Sequence, residues 1–361
     1  MRYVFFTNTP AHVHLYKHAV RRLEGEGHDV LVLGRDYGCT RALLDYYDLP
    51  YECYGACGTT KRSLFSSLPG HYLRIFRAVR RFDPDLLFGM GGYAAHAGLV
   101  SRTPAVLILD SEPTTLDHLV SRPFARAILT PHAFRKDLGG KHYQFTGFKE
   151  TAYLHPAVFE ADPSVRSALG VGPKEPYVVA RFNAFGSHHD VGHGGLSPDQ
   201  RREVVAEAAE HATVFVSDEG GDFQFAEAPA RPFDLHPALL HDALAEADLL
   251  VADAQTTVTE AALLGTPAVR SNSWVGEDDM GNFRELEAQG LVRNVAKFGR
   301  VLDTVVELLT DPEATARWEQ RRSEYMADQV DLTDLIVDVA ENLGALEEVG
   351  RLTPRAALGS A

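Results

Sequence analysis

The chain has 361 residues, more than one hydrophobic core comfortably holds, so two domains are expected. A hydrophobic share of 45% is that of an ordinary globular chain; no apolar run reaches membrane-spanning length, and the start MRYVFFTNTPAHVH does not resemble a secretory signal, so a cytoplasmic protein is expected. A net charge of −15 disfavours nonspecific nucleic-acid binding through a broad basic surface.

Tyr3–Thr7 reads as a strand and His12–Gly25 as a helix closed by Gly25 and Gly27. Asp29–Gly34 is the next strand, and Leu86–Phe88, Ala105–Leu109 and Ala127–Thr130 continue the series as short apolar strands. Alternation of this kind predicts a parallel sheet with helices on both faces. From Gly147 to Pro176 the texture changes: Pro156, Pro163, Pro173 and Pro176 mark an interdomain connection with a short helix. Strands then return at Tyr177–Arg181, Thr213–Ser217, Leu249–Ala252 and Ala268–Ser271. They alternate with helices at Pro198–His211, His236–Ala247, Thr257–Leu264 and Asn282–Gln289. Arg300–Leu309 and Glu313–Gln329 read as C-terminal helices, and the tail from Arg351 as disordered.

Of the 35 basic residues only 7 are lysine, which in an acidic chain suits a high-salt cytoplasm or, equally, a GC-rich genome. Cys39, Cys53 and Cys57 form neither an even disulfide framework nor a metal motif.

The densest chemistry lies in the second half. Strand Leu249–Ala252 runs into the polar turn Asp253-Ala254-Gln255-Thr256-Thr257 and then into a helix. Ligands of open α/β sheets bind beyond the carboxyl ends of the strands, where a helix start offers free N–H groups and a positive dipole end to a diphosphate. Asp253, Thr256 and Thr257 are the candidate diphosphate contacts, and Glu260 a candidate acceptor for ribose hydroxyls. By spacing alone, a capped helix start with Thr256 or Thr257 as the cap and Glu260 supporting it is the simpler account. Beyond strand Tyr177–Arg181, Arg181 is a candidate phosphate donor, and His188 and His189 candidate polar contacts. The spacing of His188, His189, Asp190 and His193 matches no standard zinc motif, so no metal site and no cofactor are expected.

In the first half, Gly89, Gly91 and Gly92 of PDLLFGMGGY let a strand end turn sharply, and the backbone of Gly91 and Gly92 is a candidate substrate contact. Leu109-Asp110-Ser111-Glu112 ends another strand, making Asp110 and Glu112 candidate catalytic carboxylates, with capping as the alternative for Asp110. Asp117 lies nearby on the following helix. His12, in TNTPAHVH after the first strand, is either a general base suited to neutral pH or a polar helix cap.

The segment Asp253–Pro267, taken with GMGGY, resembles the nucleotide-binding parts of GT-B glycosyltransferases, particularly MurG-type N-acetylglucosaminyltransferases; UDP-N-acetylglucosamine 2-epimerases carry a related element. Ala254-Gln255 and Asn8–Ala11 stand where those relatives carry glycines, and His12 falls on the family histidine. The resemblance continues through Val275–Leu291 and implies a sugar-hydroxyl contact at Asn282, whose alternative is an N-cap for Phe283–Gln289. Across nearly the whole chain PAHVH, Gly27-His28-Asp29, GFKETAYLHP, EAALLGTPAV and GNFRELEAQGLV resemble the domain of unknown function 354 family. These resemblances imply an α/β, GT-B-like fold of two Rossmann-like, doubly wound domains facing a central cleft. The expected division is an acceptor domain at 1–155, a nucleotide-sugar domain at 156–345 and a disordered tail at 346–361.

The implied activity is metal-independent transfer of a sugar from a nucleotide-diphosphate-sugar to an acceptor, with a nucleotide-sugar 2-epimerase and a non-catalytic nucleotide-sugar binder as alternatives. Lys61–Arg81 carries Lys61, Arg62, Arg74, Arg77, Arg80 and Arg81 with no acid, interleaved with large apolar residues. It is either a peripheral membrane contact, which suits a lipid-linked acceptor, or a core-packed helix with a solvated arginine face.

Overall fold

The computed structural model describes residues 1–56, 61–184, 194–277, 279–346 and 349–358, and of residues 61–65 and 358 only the backbone. It divides into two compact units, Met1–Val158 with Gln329–Ala361, and Phe159–Asp328.

In the first unit β1 (Arg2–Thr7), α1 (Pro10–Gly25), β2 (Asp29–Asp36), α2 (Thr40–Tyr46), β3 (Tyr51–Ala56) and α3 (Lys61–Phe82) lead to β4 (Leu86–Gly89) and α4 (Gly92–Ser101). They are followed by β5 (Ala105–Ile108), α5 (Thr115–Ser121), β6 (Ala127–Pro131), β7 (His142–Phe145) and the short α6 (Thr151–Leu154). Strands sandwiched between helices are buried on both faces, which is why β1, β4 and β5 read as unbroken apolar runs rather than alternating ones. β1 pairs in parallel with both β2 and β4. The order β7-β6-β5-β4-β1-β2-β3 therefore reverses direction between β1 and β4, and the loops after those two strands flank the switch point.

The second unit repeats the plan with α7 (Val165–Leu169), β8 (Tyr177–Phe182), α8 (Pro198–Ala209), β9 (Thr213–Asp218), β10 (Arg231–Pro232) and α9 (Leu240–Ala245). Then come β11 (Leu249–Ala252), α10 (Thr256–Leu264), β12 (Ala268–Arg270), α11 (Gly281–Ala288), β13 (Arg293–Asn294), α12 (Phe298–Thr310) and α13 (Ala314–Met326). Its order is β10-β9-β8-β11-β12-β13, so the switch point falls between β8 and β11, at the turn Asp253–Gln255. The architecture is thus two Rossmann-like, doubly wound units.

Two expectations about the chain's course are corrected. The second unit ends at Asp328 rather than at 345, because α14 (Leu332–Glu341) returns to the first unit. There Ala340 O accepts the Tyr3 hydroxyl (3.2 Å), and Ala152 O accepts the Thr333 hydroxyl (2.7 Å). The tail is ordered as far as described: β14 (Thr353–Pro354) pairs antiparallel with β7, and Arg355 donates to Gln144 Oε1 at 3.1 Å.

Helix α3 bears on the two readings of the arginine-rich segment. Ile75, Ala78 and Val79 are buried in the first core with Leu68, Tyr72 and Phe76 packed against them, while Arg74, Arg77, Arg80 and Arg81 are exposed. Much of the apolar half of the stripe is thus spent on the fold, while Leu73 is 51% exposed and the side chains of Leu64 and Phe65 lie outside the described residues. Among the described residues no helix is long and apolar enough to cross a membrane.

Candidate functional site

At the first switch point, the loop after β1 is immobilised through Asn8. Its N–H donates to His12 Nδ1 (3.2 Å), its carbonyl accepts Arg35 Nε–H (2.9 Å), and its side-chain oxygen accepts the Tyr54 hydroxyl (2.7 Å). A ring nitrogen that accepts a backbone N–H leaves the imidazole proton on the other nitrogen, so His12 presents Nε2–H. Burial first, then the Lys149 ammonium, hold its pKa down to about 3, with Asp110 opposing and Arg35 adding to the depression. His12 is therefore a neutral hydrogen-bond donor at physiological pH. Its one proton-accepting ring nitrogen is already taken by the Asn8 N–H, a geometry that does not favour the base role expected of it.

Asp110 follows β5 and pairs with Lys149, which also lies 3.5 Å from Glu150. Lys149 and Glu150 are buried and come from the GFKE stretch after β7. Glu112 is turned into its own unit: it is buried, and its Oε1 accepts the Arg135 N–H at 3.2 Å.

The GMGGY glycines are required, though for a different partner than expected. Gly91 has φ +99°, and a Cβ there would lie 2.2 Å from Asp117 Oδ2. The Gly92 N–H, anticipated as a ligand contact, donates to Asp117 Oδ1 at 3.0 Å. An internal carboxylate occupies the start of α4, and burial raises its pKa against that hydrogen bond.

At the second switch point Asp253 is wholly buried, and its carboxylate accepts from Asn183 N–H (2.6 Å), Leu196 N–H (3.2 Å) and Arg201 Nη2 (3.1 Å). It braces the loops beside β11. Desolvation outweighs those donors and pushes its pKa up to about 6. Arg181 bonds Ser217 and Glu219 through its two Nη groups. His188 and His189 lie outside the described residues.

What remains at the turn is the helix start itself. Gln255 is the N-cap of α10, with no side-chain cap, and Thr256 and Thr257 lie in the first turn; neither threonine is the cap that spacing suggested. Glu260, one turn further, is buried, with its Oε1 3.1 Å from His241 Nε2 of α9. Asn282 is not an N-cap either: Met280 holds that position at α11, and Asn282 Oδ1 is buried with no hydrogen-bond partner among the described residues. A buried, unpaired acceptor is costly, and a donor hydroxyl of a ligand would relieve it. Arg270, fully buried at the end of β12, clamps the segment before α11. It bonds Asp279 twice (2.6 and 3.1 Å), reaches Asn294 Oδ1 (3.1 Å) and lies 3.6 Å over the Phe283 ring.

Four residues at these sites were not singled out from sequence: Lys149, Arg201, His241 and Arg270. Lys149 lay in a visible motif, but nothing local told that it would reach Asp110, 39 residues earlier. Among the described residues, the group of histidine and carboxylates close enough to hold a metal ion is Glu26, His28 and Glu341, at the amino ends of the strands and away from both switch points.

The family model for "Protein of unknown function (DUF354)" matches residues 2–343. The chain belongs to this family. An uncharacterised protein of Methanocaldococcus jannaschii is 23% identical over 284 residues, 74% of this chain and 80% of its own length. The UDP-N-acetylglucosamine–N-acetylmuramyl-(pentapeptide) pyrophosphoryl-undecaprenol N-acetylglucosamine transferase of Burkholderia lata is 29% identical over 279 residues, covering 72% of this chain and 73% of the transferase. Among solved structures, the UDP-GlcNAc 2-epimerase of Neisseria meningitidis bound to UDP-GlcNAc superposes with a TM-score of 0.65 at 12% identity, covering 95% of this chain and all of the epimerase. This DUF354 chain is thus similar to that transferase in sequence and shares the fold of the epimerase.

Proposed function

We propose that this DUF354 protein is a glycosyltransferase that takes a nucleotide-diphosphate-sugar in its second unit and an acceptor in its first. The observation that carries the reading is the uncapped start of α10 at the switch point, with Glu260 one turn in and the unpaired Asn282 oxygen on the neighbouring helix. Thr256, Thr257 and the first-turn N–H groups receive the diphosphate, Glu260 the ribose hydroxyls and Asn282 a sugar hydroxyl. The dipole end of α10 stabilises the leaving diphosphate, so the reading assigns no metal. In the first unit Asp110 is the group that accepts the acceptor's proton, and His12 donates Nε2–H to hold the acceptor. Resemblance to the Burkholderia transferase, which acts on a lipid-linked sugar by its name, supports transfer and a lipid-linked acceptor.

A peripheral membrane contact fits that acceptor, and a second candidate surface for it lies outside α3. Leu99 and Val100 of α4, Leu116, Leu119 and Val120 of α5, and Phe124 are exposed, Leu116 to 71%. Exposed Arg102 and Arg122 directly follow α4 and α5, exposed Arg126 directly precedes β6, and Asp117 is turned inward to Gly92. Apolar residues ringed by cations suit an anionic lipid surface.

The epimerase alternative is favoured by one feature, the Asp117 carboxylate held against Gly91 and Gly92 at the first switch point. Incubation with UDP-, GDP- and dTDP-sugars, with and without a polyprenyl-phosphate-linked sugar, separates the readings. Acceptor-dependent release of nucleoside diphosphate, unaffected by a chelator, supports metal-independent transfer. A changed sugar without release supports epimerisation, and binding without turnover supports the non-catalytic reading.

A further inference from the structure

Glu260 sits on the second turn of a helix whose first turn carries the positive end of the dipole, yet its carboxylate is buried. A buried carboxylate is expensive unless donors reach it. His241 supplies one: its Nε2 lies 3.1 Å from Glu260 Oε1, and the ring itself is buried. The imidazole is in turn backed edge-on by Phe159, at 6.4 Å between ring centroids and 89° between planes. Helices α9 and α10 pack directly on one another, so the histidine approaches from a rigid neighbour and not from a loop.

We infer that His241 is the positioning residue for nucleotide recognition: it holds the Glu260 carboxylate in the one orientation that accepts ribose hydroxyls. The inference rests on the ribose role proposed above for Glu260. A glutamate side chain has three rotatable bonds, and swinging between rotamers would spend part of each ribose hydrogen bond on ordering the side chain. A planar donor packed on a helix removes that freedom before the nucleotide arrives. The chemistry recognised is a vicinal diol with both hydroxyls donating, so the site selects ribonucleotides over nucleotides lacking the 2′ and 3′ hydroxyls.

Calorimetric titration of the full chain with UDP and with 2′,3′-dideoxy-UDP tests this. The wild type should bind UDP at least tenfold more tightly than the dideoxy compound. His241→Leu should bring the ratio close to one while leaving dideoxy-UDP affinity within about twofold. His241→Gln, which keeps an N–H donor, should retain most of the ratio and serves as the variant of record if the leucine protein does not fold. Parallel weakening of both ligands, with the ratio unchanged, would overturn the positioning role and leave His241 as a brace between helices. A wild-type ratio near one would instead overturn the ribose role of Glu260, and the inference with it. Absence of UDP binding by the wild type would remove the uridine-nucleotide site on which both stand.

Discussion

Asp110 and His12 feel the same lysine in opposite ways. The Lys149 ammonium pairs with the aspartate and depresses the protonation of the histidine. Only the aspartate presents a proton-accepting oxygen, because His12 Nδ1 is taken by the Asn8 N–H. Asp110→Asn should therefore lower kcat by at least ~100-fold, the lower range for loss of a general base, with donor affinity unchanged. His12→Gln, which keeps a donor, should stay within about tenfold of the wild type; the reverse ranking in steady-state kinetics would return the base role to His12. Asp253 gives a second test through pH. Its folded pKa of about 6 lies above the ordinary carboxylate value, so the folded chain holds this proton more tightly than the unfolded chain. Its stabilising contribution is complete below about pH 4 and is lost as pH rises through about 6. The stability of the wild type relative to Asp253→Asn, from urea unfolding, should fall across that window by up to about 3 kcal/mol; a flat difference would mean that Arg201 compensates the burial fully.

At the scale of elements, the loops are set by contacts that reach across the chain. The turn at Gly91 exists to admit the Asp117 carboxylate from α5, and the segment entering α11 is held by Arg270 from β12. Arg270 and Asp279 are both buried, so removing one partner strands the other charge. Arg270→Met should cost about 3–5 kcal/mol in chemical unfolding, while Arg270→Met with Asp279→Leu should recover most of the loss. If the double variant is no better than the single, the hydrogen bond to Asn294 and the stacking on Phe283 carry the stability instead. Such clamps also hold the turn Asp253–Thr257, with Ala254-Gln255 in place of glycine: its backbone is braced by Asn272, whose Nδ2 donates to Asp253 O at 2.9 Å.

For the molecule as a whole, the apolar patch of the first unit with its neighbouring arginines predicts selective membrane behaviour against a net charge of −15. Flotation with anionic vesicles should carry the protein, and Leu116→Glu with Leu119→Glu should leave it at the bottom of the gradient. Recovery of the wild type equally with neutral vesicles, or of the double variant with anionic ones, would rule out this surface as the contact.

Sequence alone determined the alternation of strands and helices, and hence two doubly wound units, because strands buried on both faces must be continuous apolar runs punctuated by turn residues. It also located the turn Asp253–Thr257, since a polar turn between a buried strand and a helix is visible within a dozen residues. The tertiary structure decided which of those polar groups face outward. Asp253, Glu112 and Arg181 were plausible ligands by type, and each is claimed by donors or acceptors distant in sequence. His241 and Lys149 were invisible for the same reason: their partners lie 19 and 39 residues away. The return of α14 to the first unit was equally hidden, because an amphipathic helix records that it packs and not which sheet it packs upon. Periodicity is a local property of the chain; the pairing of buried charges is settled only when the sheet order brings the strand ends together.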